Sequence, residues 1–326
     1  MSKNKFFDRL RGLPEAEGLF HFVRFGGMSM KLAMSTEVLQ PMHQIYPITR
    51  QEALARLCKS GFRYLDWSIC AEFQEEAARK DSPLLKDDWR DFVEDYRKTA
   101  EDGGAEFIQT HCVFCNFFAD NEYDQWLVSK MEQCYEITSM LGVPVTVVHP
   151  IAPPGLEYDR EGSLAANRDF FRRQADIAAK YNVKLAVENM LSNRLFDGTI
   201  FKRCCTTSDE LVELVDAIDH ENVGICVDIG HTHYMKESVY DAVHKCAKHL
   251  IALHLHDNDT FNDSHVPPYA CNLDWESFFR ALNEIHYQGN GMLEVLHACR
   301  RLPAALQDSM LRYLNHLTEF MMAQVK

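Results

Sequence analysis

From Met30 onward the chain alternates short, nearly continuous apolar runs with longer stretches in which apolar residues recur every three or four positions. The short runs read MKLAMS, FRYLDWSI, AEFIQTH, VPVTVVHP, VKLAVEN, VGICVD, LIALHLHD and GMLEVL. Runs of this kind are expected of strands buried on both faces of a parallel sheet. The stretches between them carry helix signals. Thr49 and Glu52 have capping-box spacing ahead of Leu54 and Leu57, and Thr207 and Glu210 repeat it ahead of Leu211, Leu214, Val215 and Ile218. Helical periodicity also marks Trp126, Met131, Tyr135 and Ile137, then Trp275, Phe278, Leu282 and Ile285, then Leu306, Met310, Tyr313, Leu317 and Phe320. Further helices are expected over roughly 86–99, 163–181 and 239–248.

Eight strand-then-helix units predict a single (β/α)8 TIM barrel of the α/β class over residues 30–326. A doubly wound sheet would want a Gly-rich phosphate turn after an early strand, and the chain has none. Residues 1–29 are set apart as a short N-terminal extension with helical spacing at Phe6, Phe7, Leu10 and Leu13. The extension is expected to cover one end of the barrel or contact another protomer, with a substrate lid as the alternative.

A barrel of this type forms its site where the carboxyl ends of the strands converge. Four consecutive strands deliver Glu188, Asp228, His256 and Glu294 there. Packed together, these groups would repel and lose hydration unless a cation joined them, so they are expected to hold a divalent metal. Three carboxylates and one imidazole suit a hard or borderline ion, Mn2+ foremost, with Mg2+, Co2+ and Zn2+ as alternatives. Of His254 and His256 only one is expected to face the ion; His254 and His233 are assigned to packing or supporting places. A second layer is expected to meet substrate: His111 and His149 at strand ends, His231 three residues after Asp228, and Asp263 with His265 as D-x-H. Asp257 and Asn258 are expected to orient His256 or to bind substrate hydroxyls.

Composition narrows the classes. With 46% apolar and 25% charged residues the chain reads as an ordinary globular enzyme, and it has no run of eighteen apolar residues to span a membrane. A formal net charge of −14 disfavours nucleic acid as a partner. Eleven cysteines without a disulfide spacing fit reduced thiols, and the C-x-x-C of Cys112 and Cys115 lacks the second pair of a zinc knuckle. With no secretory signal at its start, the chain is expected to be cytoplasmic.

The motifs VENM, CVDIGH, HLHDND followed by D-x-H-x-P-P and LDW, and MLEV resemble the xylose-isomerase-like superfamily of metal-dependent sugar isomerases and epimerases, which includes the type IV apurinic endonucleases. Similarity to its ketose 3-epimerases implies one metal on Glu188, Asp228, His256 and Glu294. It also implies Glu188 and Glu294 as an acid/base pair working through a metal-stabilised enediolate, with His231 on the substrate. Similarity to the endonuclease branch implies three zinc ions on His111, His149, Glu188, Asp228, His231, His256, Asp263, His265 and Glu294. The ligands alone do not choose. The acidic charge and the lack of Lys/Arg-rich loops oppose DNA as a substrate, and the resemblance then implies an isomerase or epimerase of a small sugar or sugar-derived ketone. A metal-dependent lyase, dehydratase or glycoside-cleaving subunit and a zinc phosphoesterase are the alternatives. The resemblance also implies a homo-oligomer. Tyr269, Ala270, Cys271 and Asn272 stand where the family usually has Gly-Glu-Gly, an acidic insertion runs from Glu72 to Asp88, and Arg194, Lys202 and Arg203 follow the fifth strand. The first two features keep the substrate open; the three cations fit solvated loop charges better than a phosphate site.

Overall fold

A computed structural model of the chain describes residues 30–326 apart from 75, 116–120, 153–157 and 195–199, so the extension expected over 1–29 lies outside the described residues. Each of the eight apolar runs forms a strand. They are β1 (Lys31–Ser35), β2 (Tyr64–Ser68), β3 (Glu106–His111), β4 (Val145–Val148), β5 (Lys184–Glu188) and, after a small hairpin of β6 (Asn193–Arg194) and β7 (Ile200–Phe201), β8 (Val223–Asp228), β9 (Leu250–Leu255) and β10 (Asn290–Leu293). The eight are parallel and close in the order β1-β10-β9-β8-β5-β4-β3-β2, a TIM barrel.

The helices run α1 (Arg50–Lys59), α2 (Ile69–Gln74), α3 (Glu76–Asp81), α4 (Trp89–Asp102), α5 (Glu122–Met140), α6 (Arg160–Ala179), α7 (Ser208–Ile218), α8 (Ile229–Tyr234), α9 (Val239–Cys246), α10 (Trp275–Glu284) and α11 (Ala304–Met322). Both halves of the Thr49–Glu52 capping box are present on α1. At α7 only the Thr207 half forms, because the Glu210 carboxylate instead accepts from the Cys205 N–H at 2.7 Å and from the Tyr158 hydroxyl. At the start of the acidic insertion Glu72 is buried and accepts two hydrogen bonds from Arg50, each 2.8 Å. None of the described helices is long and apolar enough to cross a membrane.

Strand alternation sorts the core into two layers. On β5, Leu185 and Val187 join the large cluster beneath the helices, whereas Ala186 joins an axial group with Val145, Val147, Cys226 and Ala252. The next inward position is Glu188, and Asp228 follows Cys226 in the same way. Two bulges adjust this sorting. Ile108 is an extra residue on β3 between the pairs Leu65–Phe107 and Asp66–Gln109, and Ile251 is extra on β9 between Ile225–Leu250 and Cys226–Ala252. Each bulge inverts the facing of the residues after it. Thr110 therefore points outward, sharing a 2.7 Å hydrogen bond with Thr138 of α5, and His111 points inward. On β9 the same inversion sends Leu253 and Leu255 to the outer core and His254 to the axis.

Candidate functional site

At the carboxyl end of the barrel, ionisable side chains gather into three groups, two of them sharing Glu188 and His254, each able to bring one donor atom per residue within 4.8 Å of the others. One group is Glu188, Asp228, His254 and Glu294; a second is His111, Glu188 and His254; the third is His231, His256, Asp263 and His265. The strand ends thus bring together the three carboxylates expected from the sequence.

The imidazole among those carboxylates is His254, whereas the sequence pattern points to His256. His254 Nδ1 lies 3.1 Å from Glu188 Oε1 and 3.4 Å from Glu294 Oε2. Residues two apart on a strand share a face, so alternation admits both rings. What separates them is depth: β9 ends at Leu255, and His256 lies beyond it in the upper group, its Nε2 3.2 Å from Asp228 Oδ1 and 3.7 Å from Asp263 Oδ1. Gly230 leaves room for that ring, since a Cβ there would sit 2.0 Å from His256 Cε1.

Glu188 is the electrostatic centre. Four imidazole nitrogens surround its carboxylate, from His149 at 3.0 Å, His254 at 3.1 Å, His111 at 3.5 Å and His231 at 3.7 Å. Burial would raise its pKa, but His254, His149 and His111 outweigh that and hold it well below the usual carboxylate range. Glu294 is held low in the same way, burial being outweighed by His254 and His265. Burial opposes the imidazolium at His265, yet Glu294 and Asp263 lift it to about 9. Burial pulls His149 downward despite Glu188.

Three rings are anchored alike. The Nδ1–H of His111 donates to the Cys112 carbonyl at 2.9 Å, that of His231 to the Asn189 carbonyl at 2.8 Å, and that of His265 to the Glu294 carbonyl at 3.0 Å. Each bond fixes a tautomer and leaves Nε2 for the mouth. Opposite these nitrogens, Asp228 Oδ2, Asp263 Oδ1 and Glu294 Oε2 are buried and accept no hydrogen bond among the described residues. Unpaired carboxylate oxygens are costly to bury, and convergent ones beside imidazoles are the donor set a divalent ion requires. The residues present therefore fit such an ion.

Several supporting residues carry no signal that the sequence motifs reveal. The Asn189 amide clasps the Asp228 backbone, accepting from its N–H at 2.7 Å and donating to its carbonyl at 2.9 Å. Phe114 stacks on His149 with ring centroids 4.2 Å apart. Asp257 neither orients His256 nor meets the mouth. Its carboxylate accepts from the backbone N–H groups of Asn258 (2.9 Å), Cys271 (3.1 Å) and Leu273 (3.2 Å) and from Trp275 Nε1 (3.2 Å), pinning the loop that carries Asp263 and His265. Local residue identity holds no clue to that role, because three of the four donors are backbone groups. His233 lies outside the donor groups, bonded to Asn272 Oδ1 at 3.1 Å. Cys112 and Cys115 are buried free thiols, also outside them.

The model of the xylose isomerase-like TIM barrel family matches residues 54–316. D-psicose 3-epimerase of Enterocloster bolteae is 28% identical over 136 residues, 42% of this chain and 41% of that protein. Inosose isomerase of Bacillus velezensis is 24% identical over 199 residues, 56% of this chain and 67% of that protein. The chain spans about half the length of the first curated relatives it matches. Among solved structures, the IOLI protein with a bound zinc atom superposes with a TM-score of 0.69 at 17% identity, covering 91% of this chain and 99% of that one, a likeness of fold.

Proposed function

The chain belongs to the xylose isomerase-like TIM barrel family, and from that premise we propose that it is a divalent-metal-dependent isomerase or epimerase of a sugar or sugar-derived ketone. The observation that carries this reading is the single ring of Glu188, Asp228, His254 and Glu294, with unsatisfied carboxylate oxygens turned inward. These four would hold the ion, Mn2+ being the first choice for so oxygen-rich a set. The relatives that are sugar epimerases and inosose isomerases support the substrate class.

When bound, the ion supplies Lewis acidity toward a substrate carbonyl and its neighbouring hydroxyl. The protein's own groups do the proton transfer. Glu188 and Glu294 are both held ionised, the form in which one of them takes a proton from carbon. The carboxyl that took the proton returns it after a shift, or the second returns it once the proton has passed to it through solvent or a substrate hydroxyl. His111, His149, His231, Asp263 and His265 line the same mouth and would orient substrate hydroxyls. The test is solvent proton exchange into candidate ketoses: Glu188→Gln and Glu294→Gln should lose exchange and turnover. Undiminished turnover in both removes the proposal.

The third donor group gives a second reading some footing. Zinc ions shared among His231, His256, Asp263 and His265 as well as the carboxylate ring would suit phosphoester hydrolysis. Two or three tightly held zinc ions per chain, with hydrolysis of a phosphate ester, would favour it; one exchangeable ion favours the isomerase. The net charge of −14 makes a nucleic acid a poor substrate in either case.

A further inference from the structure

The rings that gather at the mouth are not all held by the same means. His111, His231 and His265 each give the Nδ1–H to a backbone carbonyl, and that bond sets the orientation of the ring. His149 has no such bond. Its Nδ1 is buried with no hydrogen-bond partner among the described residues, while its Nε2 lies 3.0 Å from Glu188 Oε2 and 3.0 Å from His111 Nε2. A ring held at one nitrogen can still swing about that contact, so its plane has to be set by packing. Phe114 supplies the packing: its ring stacks on His149 with centroids 4.2 Å apart and 27° between the planes, and it meets His111 edge to face at 5.7 Å.

Phe114 lies beyond the end of β3, outside any helix or strand, yet its backbone is gripped at both polar groups by one side chain. The Phe114 N–H donates to Gln74 Oε1, and Gln74 Nε2 donates to the Phe114 carbonyl, each at 3.0 Å. An amide matched at both ends has a single orientation, and this one holds the Phe114 backbone as Asn189 holds that of Asp228. The grip is firm at its other end too. Gln74 closes α2, where Glu72 is paired with Arg50 and Phe73 is fully buried, and its carbonyl accepts from the Tyr123 hydroxyl at 3.3 Å. The stretch that opens the acidic insertion thereby takes a part in the site.

We propose that Gln74 is a positioning residue for His149: by clasping the Phe114 backbone it holds the Phe114 ring against the imidazole, and the stack sets the plane that a carbonyl bond sets for His111, His231 and His265. The clasp is read without substrate, and only its consequence for turnover rests on the isomerase reading. The experiment uses the full chain, metal-free and at one pH, with 13C-labelled histidine; the His149 ring protons are assigned by their loss in His149→Gln. Protons over the face of a phenyl ring are shielded, so in the wild type they should resonate upfield of a free imidazole's, and their absence from that region overturns the proposal. They should move back downfield in folded Gln74→Met, which keeps the length of glutamine without its polar ends. The same should follow in Phe114→Leu but not in Phe114→Tyr. An unmoved resonance in Gln74→Met or in Phe114→Leu overturns the assignment. Should Gln74→Met not fold, Gln74→Glu decides, since it loses the bond to the Phe114 carbonyl, and resonances that stay in place there overturn the clasp. On a ketose that the wild type turns over, Gln74→Met should lose up to about 100-fold in kcat/KM, the cost of an orienting group displaced by about 1 Å. Full kcat/KM in a variant whose resonances have moved overturns the part given to the plane of His149. A wild type inactive on every ketose, with resonances that move in Gln74→Met, supports the clasp and counts against the isomerase reading alone.

Discussion

Removing each of two neighbouring rings in turn asks which of them belongs to the carboxylate set. His254 supplies one of four donors, with Nδ1 3.1 Å from Glu188 Oε1, and its replacement by Gln takes away a quarter of the coordination at a fully buried position. The loss should exceed that of an outer partner, so affinity should fall by about 100-fold or more, which is about 2.7 kcal/mol at roughly 1.4 kcal/mol per decade. His256 touches this set only through Asp228, from 3.2 Å. Its replacement by Gln should cost no more than about tenfold, or roughly 1.4 kcal/mol, the low end for a group that acts on the set from outside it. Mn2+ titration against a fluorescent chelator at fixed pH and ionic strength reads both variants on one scale, with circular dichroism confirming that each is folded. If His256→Gln loses the ion and His254→Gln keeps it, the depth argument for β9 is wrong and His256 takes the fourth place.

The metal-free protein should lose stability as pH rises. His265 has its pKa lifted to about 9 in the fold, against roughly 6.5 in an unfolded chain. The protonated form is therefore favoured by folding; its contribution is complete below about pH 6.5 and disappears as pH climbs through about 9, a change of up to about 3 kcal/mol. Urea unfolding of chelator-treated protein at pH 6 and pH 9 measures it, and equal or greater stability at pH 9 would refute the reasoning. Asp257→Ala should strip four hydrogen bonds from the loop bearing Asp263 and His265, leave buried N–H groups unpaired, and cost about 3 kcal/mol or more. Limited proteolysis should then cut between 258 and 274 in the variant, and resistance equal to wild type would show that other contacts hold the loop.

Much of the barrel is legible in the sequence because its signals are local. Apolar runs and the cap at Thr49 depend on residues a few positions apart, and both appear where the spacing puts them. The carboxylates are legible for a related reason: Glu188 and Asp228 each close a strand, and strand ends in a barrel converge. The choice between His254 and His256 is not legible. Both lie on one face, and which of them reaches the carboxylates is set by depth, since β9 ends at Leu255, between the two. Asp257 is deceptive beside His256 because the partners that explain it lie 14 to 18 positions away, in and just past a loop.

The bulges at Ile108 and Ile251 each absorb one residue of chain, so that the side chains beyond them keep the facing the site needs. Deleting either isoleucine would keep the pairs on both sides of it, Leu65–Phe107 with Asp66–Gln109 or Ile225–Leu250 with Cys226–Ala252, and would leave the downstream residues of that strand facing as they do now. It is a full-length strand paired without its bulge that would turn His111 or His254 to the helices and bring Thr110 or Leu253 to the axis. A chain with a one-residue gap at either isoleucine would thus keep its chemistry at the axis, the bulge being a residue of slack that the strand takes up.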